Sequence, residues 1–147
     1  MPRIPIRTPP ASYDVIVERG SLERAAEHIA PFAAGRKLIL VTTDAVWRHQ
    51  GPRLAGLEFA RLMMPEGEEH KRLATLESLA DQMLAAGADR SSVVVGFGGG
   101  VVNDVAGFLA AVYMRGVVVI QIPTTLLAQV DAAIGGKTGV NLAQGKN

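Results

Sequence analysis

Residues 93–104 read VVVGFGGGVVND. Four glycines, Gly96, Gly98, Gly99 and Gly100, fall within five positions, after a β-branched run and before an apolar stretch of helical character. Glycine gives up packing and carries a large entropic cost on folding. Concentrating it at one strand-to-helix joint means that bare backbone is needed there. A tight turn in positive φ would ask for one glycine. Three in a row point to peptide N–H groups approaching a phosphate at the positive end of a helix. The spacing is not the G-x-G-x-x-G dinucleotide fingerprint: after Gly96-x-Gly98 the third position is Val101, and the joint follows the fourth predicted strand rather than the first.

Outward from this joint the chain alternates. Residues 1–12 are Pro-rich and are expected to be extended and loosely held. A first strand is predicted over 13–20, and Ser21 suits the N-cap of a helix over 21–32. An apolar strand covers 37–44, a short helix 45–53 and a shorter strand 58–64. Leucine spacing predicts a helix over 71–86, stopped at Gly87. A strand over 92–97, a helix over 101–114 and a strand over 117–123 complete the series. Such alternation implies an α/β fold, a mostly parallel sheet with right-handed crossovers and helices on both faces. No repeat, linker or second domain is read within residues 1–147.

The 147 residues are 48% hydrophobic but only 5% aromatic, which suits an α/β layer protein. A formal charge of +1 argues for neither a nucleic-acid nor a membrane partner. There is no cysteine, hence no disulfide, thiolate metal site or thiol nucleophile. The opening MPRIPIRTPP lacks the apolar core of a signal peptide, so the expected compartment is the cytoplasm.

Several residues around the joint could carry chemistry. Asp104, expected in the first turn of its helix beside Val101 and Phe108, borders the apolar stripe and needs a partner there. Ala106, Gly107, Ala110 and Ala111 make that helix thin enough to lie close on the sheet. Thr124 and Thr125 follow a strand end, where hydroxyls cap a helix or meet a ligand. If residues 126–134 are helical, Leu127, Val130 and Ile134 form a buried stripe. Asp131 on its border is then a solvated acid or a cleft residue. Lys137, after Gly135–Gly136, and Lys146 stand in glycine-rich loops suited to phosphate or carboxylate, or to solvent. PEGEEHK, residues 65–71, is by composition a polar turn. His28, His49 and His70 lack metal-ligand spacing and are read as structural or exposed, so no metal site is assigned.

Taken in order, PEGEEHK, GFGGGVVNDVAGFLAAVYMRGV, IPTTLLAQVD and IGGKTGVN…GKN closely resemble the N-terminal half of the 3-dehydroquinate synthase family, over residues 13–147. The resemblance implies an NAD-binding domain with a Rossmann-like sheet, followed in the full-length enzyme by a metal-binding domain. It implies conversion of the seven-carbon phosphate DAHP to 3-dehydroquinate and phosphate in the shikimate pathway. NAD is not consumed, and zinc or cobalt assists in the full-length enzyme only. Asp44 would hold the adenosine ribose, with Glu68 and Lys71 beside the nucleotide. Gly99, Gly100 and Val101 would pass the pyrophosphate, Asp104 would lie by the nicotinamide ribose, and Thr124 and Thr125 would touch the cofactor. Asp131, Lys137, Lys146 and Asn147 would face substrate. Arg115 matches an arginine that reaches the partner's site in a homodimer. Asn103 stands where the family usually has glycine. The family's metal ligands, a Glu and two His, belong to the later domain, so these 147 residues alone are expected to be inactive. The alternatives are a related sugar phosphate cyclase, a metal-dependent polyol dehydrogenase, or a non-catalytic nucleotide-binding module.

Overall fold

A computed structural model describes residues 2–9 and 11–147. The chain enters through an antiparallel hairpin, β1 (Arg3–Thr8) and β2 (Ala11–Ile16), in which Pro5 faces Asp14. This corrects two expectations. Of residues 1–12, Met1 and Pro10 lie outside the described residues, but 3–8 are a paired strand rather than loosely held chain. The first predicted strand lies in this hairpin and not in the parallel sheet. Proline is tolerated because a two-stranded ribbon is all edge, and its missing N–H can face outward.

The helix expected from Ser21 begins later, as α1 (Ala25–Ala33), with no side-chain cap. Gly20, at φ 75°, turns the chain, and the Arg24 N–H returns to the Gly20 carbonyl at 3.3 Å. Residues 21–24 are spent on that turn.

From here strand and helix alternate as predicted. β3 (Leu38–Thr42) leads to α2 (Asp44–Gln50), β4 (Ala60–Met63), α3 (Leu73–Ala85), β5 (Val93–Gly98), α4 (Gly100–Val112) and β6 (Val118–Pro123). The four strands β3 to β6 are parallel, in the order β4-β3-β5-β6. Every residue of β3 and β5 is buried, as strands covered on both faces require. Alternate side chains feed two cores. Ile39, Val41 and Val94 pack with Leu76, Leu79 and Met83 of α3 and Val105 and Leu109 of α4. Leu38, Leu40, Val95 and Phe97 pack on the other face with Ile29 of α1 and Val46 and Trp47 of α2. Each such fully buried side chain contributes about 1.5–3 kcal/mol. Trp47 stands edge-on to Phe59 at 5.8 Å and beneath the Arg61 guanidinium at 4.2 Å, which fastens α2 to β4. Among the described residues no helix is long and apolar enough to cross a membrane.

α4 lies close on the sheet because its contact residues are small. A Cβ on Gly96 would come within 2.9 Å of the Ala106 Cβ and would strike the Gln121 side chain. Gly107 makes room for Thr138 and for the Gln121 side chain of β6, and Ala111 faces outward. Replacing Gly96 by Ala should therefore lower stability by about 1–3 kcal/mol through overpacking. Urea unfolding checks this; a midpoint equal to wild type would mean that the close seating of α4 on β5 does not matter.

Candidate functional site

In a parallel sheet all carboxyl ends share one edge. Here that edge carries Thr42–Thr43–Asp44, the segment after Met63, Gly98–Gly99–Gly100 and Pro123–Thr124–Thr125. After β3 the chain turns to one side, through α2 to β4. After β5 it turns to the other side, through α4 to β6, and α2 and α4 cover opposite faces. The crevice between the ends of β3 and β5 is thus a topological switch point, where α/β sheets bind ligands.

The glycine joint sits on one lip of that crevice. Among Gly96, Gly98, Gly99 and Gly100 none has positive φ, so the turn-conformation reading of these glycines is overturned. Closeness explains three of them. Gly96 lies under α4, a Cβ on Gly98 would stand 2.7 Å from Val102, and one on Gly99 3.3 Å from the Thr125 methyl. Gly100 differs: its nearest neighbour would be the Ala132 Cβ at 3.8 Å, an ordinary contact. α4 opens here, and its first backbone bond runs from the Asn103 N–H to the Gly99 carbonyl at 3.0 Å. The N–H groups of Gly100, Val101 and Val102 precede any acceptor within the helix.

Asp104 is the fifth residue of α4, one residue deeper than expected and just past the first turn, because the helix starts at Gly100 itself. The partner its position demanded is Lys71, whose Nζ lies 2.8 Å from Asp104 Oδ2 and is 3.7 Å from Glu68. Lys71 is buried, at 5% exposure. The PEGEEHK segment is therefore tied into the site rather than being only a polar turn. Glu66 accepts the Ala45 N–H at 2.8 Å, joining the same segment to the start of α2. Asp44, the first residue of α2, is exposed and paired with Arg48 one turn on; Thr43 caps the helix through the Val46 N–H.

The last stretch closes over this strap. The Asn141 N–H donates to the Lys71 carbonyl at 2.7 Å, its Nδ2 donates to Glu68 at 2.8 Å, and its Oδ1 accepts the Asn147 N–H at 3.0 Å. The Asn141 hydrogen bond, then the lysine charges of Lys71 and Lys146, hold the Glu68 carboxyl below its ordinary range. Thr124 donates its N–H to the Gly98 carbonyl at 2.8 Å, and the Thr125 hydroxyl caps the following turn by accepting the Ala128 N–H. That turn is π-helical over Ala128–Ala132, which changes the phase of the side chains. Leu127 and Val130 are exposed and Ile134 half-buried, so the expected buried stripe is corrected: Ala128 is the residue that faces inward. Asp131 and Lys137 are both exposed, 3.8 Å apart.

The structure thus gathers Asp44, Glu68, Lys71, Gly99, Gly100, Val101, Asp104, Thr124 and Thr125 at one sheet edge. Asp131, Lys137, Lys146 and Asn147 lie on segments that follow it. Arg115 is not among them: it stands beyond the far end of α4, about 20 Å of helix away. Residues that the sequence did not single out include Glu66, Asn141 and Tyr13, whose hydroxyl accepts the Gly135 N–H at 2.7 Å. Thr42, fully buried at the end of β3, has a hydroxyl oxygen with no partner among the described residues. Glu66 and Asn141 sit within motifs already recognised; nothing near Tyr13 or Thr42 marks them. Among the described residues no three His, Asp or Glu side chains gather as a divalent metal would require.

Comparison with known proteins supplies the context. The family model described as 3-dehydroquinate synthase N-terminal matches residues 61–147. A 3-dehydroquinate synthase of Solibacter usitatus (strain Ellin6076) is 54% identical over 151 residues, covering all of this chain and 42% of the relative. The chain thus spans less than half the length of the curated relatives it matches. Among solved structures, a 2-deoxy-scyllo-inosose synthase complexed with carbaglucose-6-phosphate, NAD+ and Co2+ superimposes with a TM-score of 0.87 at 29% identity, over 99% of this chain and 41% of its own. A 2-epi-5-epi-valiolone synthase from Streptomyces hygroscopicus with NAD+ and Zn2+ bound gives 0.79 at 35% identity, over 93% and 39%.

Because the Glu68 carboxyl is held below its ordinary value of 4.5, its contribution to stability is fully present above that pH and is lost as pH falls through the lower folded value. Glu68→Gln keeps an acceptor for Asn141 but removes the charge. It should be less stable than wild type at pH 7, with the gap closing in acid, as thermal melts across pH 3–7 would register. A gap independent of pH would show that the charge is not what holds the 141–147 segment down.

Proposed function

The chain belongs to the 3-dehydroquinate synthase N-terminal family, and we propose that it supplies the dinucleotide-binding part of an enzyme converting DAHP to 3-dehydroquinate and phosphate. The observation that carries the cofactor half of this reading is Gly100. Neither its φ nor its surroundings demand glycine, so the bare backbone serves something outside the fold. A pyrophosphate over the first N–H groups of α4 is such a group.

The neighbouring side chains fit the rest of a dinucleotide. Asp44 stands at the lip across the crevice, where a carboxylate accepts ribose hydroxyls. Asp104, fixed by Lys71, faces the same crevice edge from α4. Bound NAD+ would supply reversible hydride transfer; the chain's own groups bind, orient and hold charge. Lys137 and Lys146 offer cations to a phosphate and a carboxylate, with Asp131 and Asn147 beside them. The metal is assigned to a further domain, and Arg115, remote from its own crevice, to a partner subunit's site in a dimer. The 54% identity to a 3-dehydroquinate synthase, against 29–35% to the other cyclases, favours DAHP over their substrates.

Two measurements test this. NAD+ titrated calorimetrically into wild type and Gly100→Ala should bind the variant at least tenfold more weakly, about 1.4 kcal/mol. The variant's melting temperature should not fall, since alanine fits and favours helix. Equal affinity would remove the phosphate from this turn. On the same reading the polypeptide binds NAD+ yet releases no phosphate from DAHP when Zn2+ or Co2+ is added; release would locate the metal site within these residues.

A further inference from the structure

We propose that Asn103 is a positioning residue, which aims the Gly99 and Gly100 N–H groups at the incoming pyrophosphate by pinning the carbonyls behind them. The proposal rests on the dinucleotide reading above. Asn103 is fully buried inside α4, where asparagine is a poor helix former. Its Nδ2 donates to the Gly98 carbonyl at 2.8 Å and to the Gly99 carbonyl at 2.9 Å. Neither carbonyl lacks a donor without it. The Thr124 N–H already reaches Gly98 at 2.8 Å, and the Asn103 backbone N–H reaches Gly99 at 3.0 Å. The side chain therefore adds a second bond to each carbonyl, which fixes its direction rather than satisfying it.

Direction is what matters to the ligand. In a planar trans peptide the C=O of one residue and the N–H of the next point opposite ways. Holding the Gly98 carbonyl inward aims the Gly99 N–H outward, and holding the Gly99 carbonyl does the same for Gly100. Held by one hydrogen bond each, the peptides of a glycine run keep more freedom to rock than when held by two. The clamp is itself braced from the sheet, since Gln121 Nε2 donates to the Asn103 carbonyl at 2.8 Å. Asn103 Oδ1 is left buried without a partner among the described residues, so the amide is not placed there for its own satisfaction. Preorganised donors of this kind raise affinity by removing the ordering cost of binding.

The test compares wild type, Asn103→Ala and Asn103→Ser, the serine keeping a hydroxyl able to reach only the carbonyl one turn back. Backbone 15N relaxation on the free protein should show order parameters at Gly99 and Gly100 falling from about 0.85 toward 0.6 in the alanine variant. NAD+ affinity should fall about tenfold in that variant and less in the serine variant, with adenosine affinity unchanged. Unchanged order parameters would overturn the clamp. Loosened glycines with unchanged NAD+ affinity, or a parallel loss of adenosine affinity, would overturn the positioning role. Failure of wild type to bind NAD+ would overturn the dinucleotide reading and this proposal with it.

Discussion

The ion pair between buried Lys71 and half-buried Asp104 is the constraint on which the site edge depends. Lys71 ends the strap after β4, Asp104 rises from α4, and the buried ammonium meets the half-buried carboxylate at 2.8 Å. An ammonium taken out of water is tolerable only when paired and hydrogen-bonded. The backbone of the same lysine receives Asn141, and the preceding Glu68 receives the Asn141 side chain. One desolvated charge thus brings together three segments distant in sequence.

What the sequence disclosed follows from how local each signal is. β3 and β5 announce themselves because a strand covered on both faces must be an unbroken apolar run. Gly87 announces the end of α3 because only glycine accepts φ 72° cheaply. The hairpin was hidden because proline argues against strands in general, and only the topology reveals a ribbon where proline is harmless. The 126–134 stretch misled because a period of 3.6 assumes an α-helix, and one π-helical turn puts Leu127 and Val130 on the wrong side. Asp104 was legible as an acid in need of a partner, but the identity of that partner, 33 residues upstream, was a tertiary fact.

The glycine joint illustrates how one letter can serve unlike ends. Gly96 and Gly98 make room for neighbouring side chains, Gly99 for Thr125, and Gly100 for nothing in the chain itself. Their common identity in the sequence conceals this division, which the packing around each one decides. Asn103 carries the opposite lesson. Read as a letter it is a polar residue in an apolar helix; placed in the fold it reaches back under the turn and leaves the outer surface clear.

The seating of Trp47 edge-on to Phe59 and beneath Arg61 has an optical consequence. It is the chain's single tryptophan, carried on the helix that Asp44 begins. Its emission comes from one environment, with a cation above the ring and an aromatic edge beside it. Any displacement of α2 against β4 changes that environment, so the fluorescence of the unlabelled protein is a built-in gauge of the crevice lip, free of contributions from a second indole.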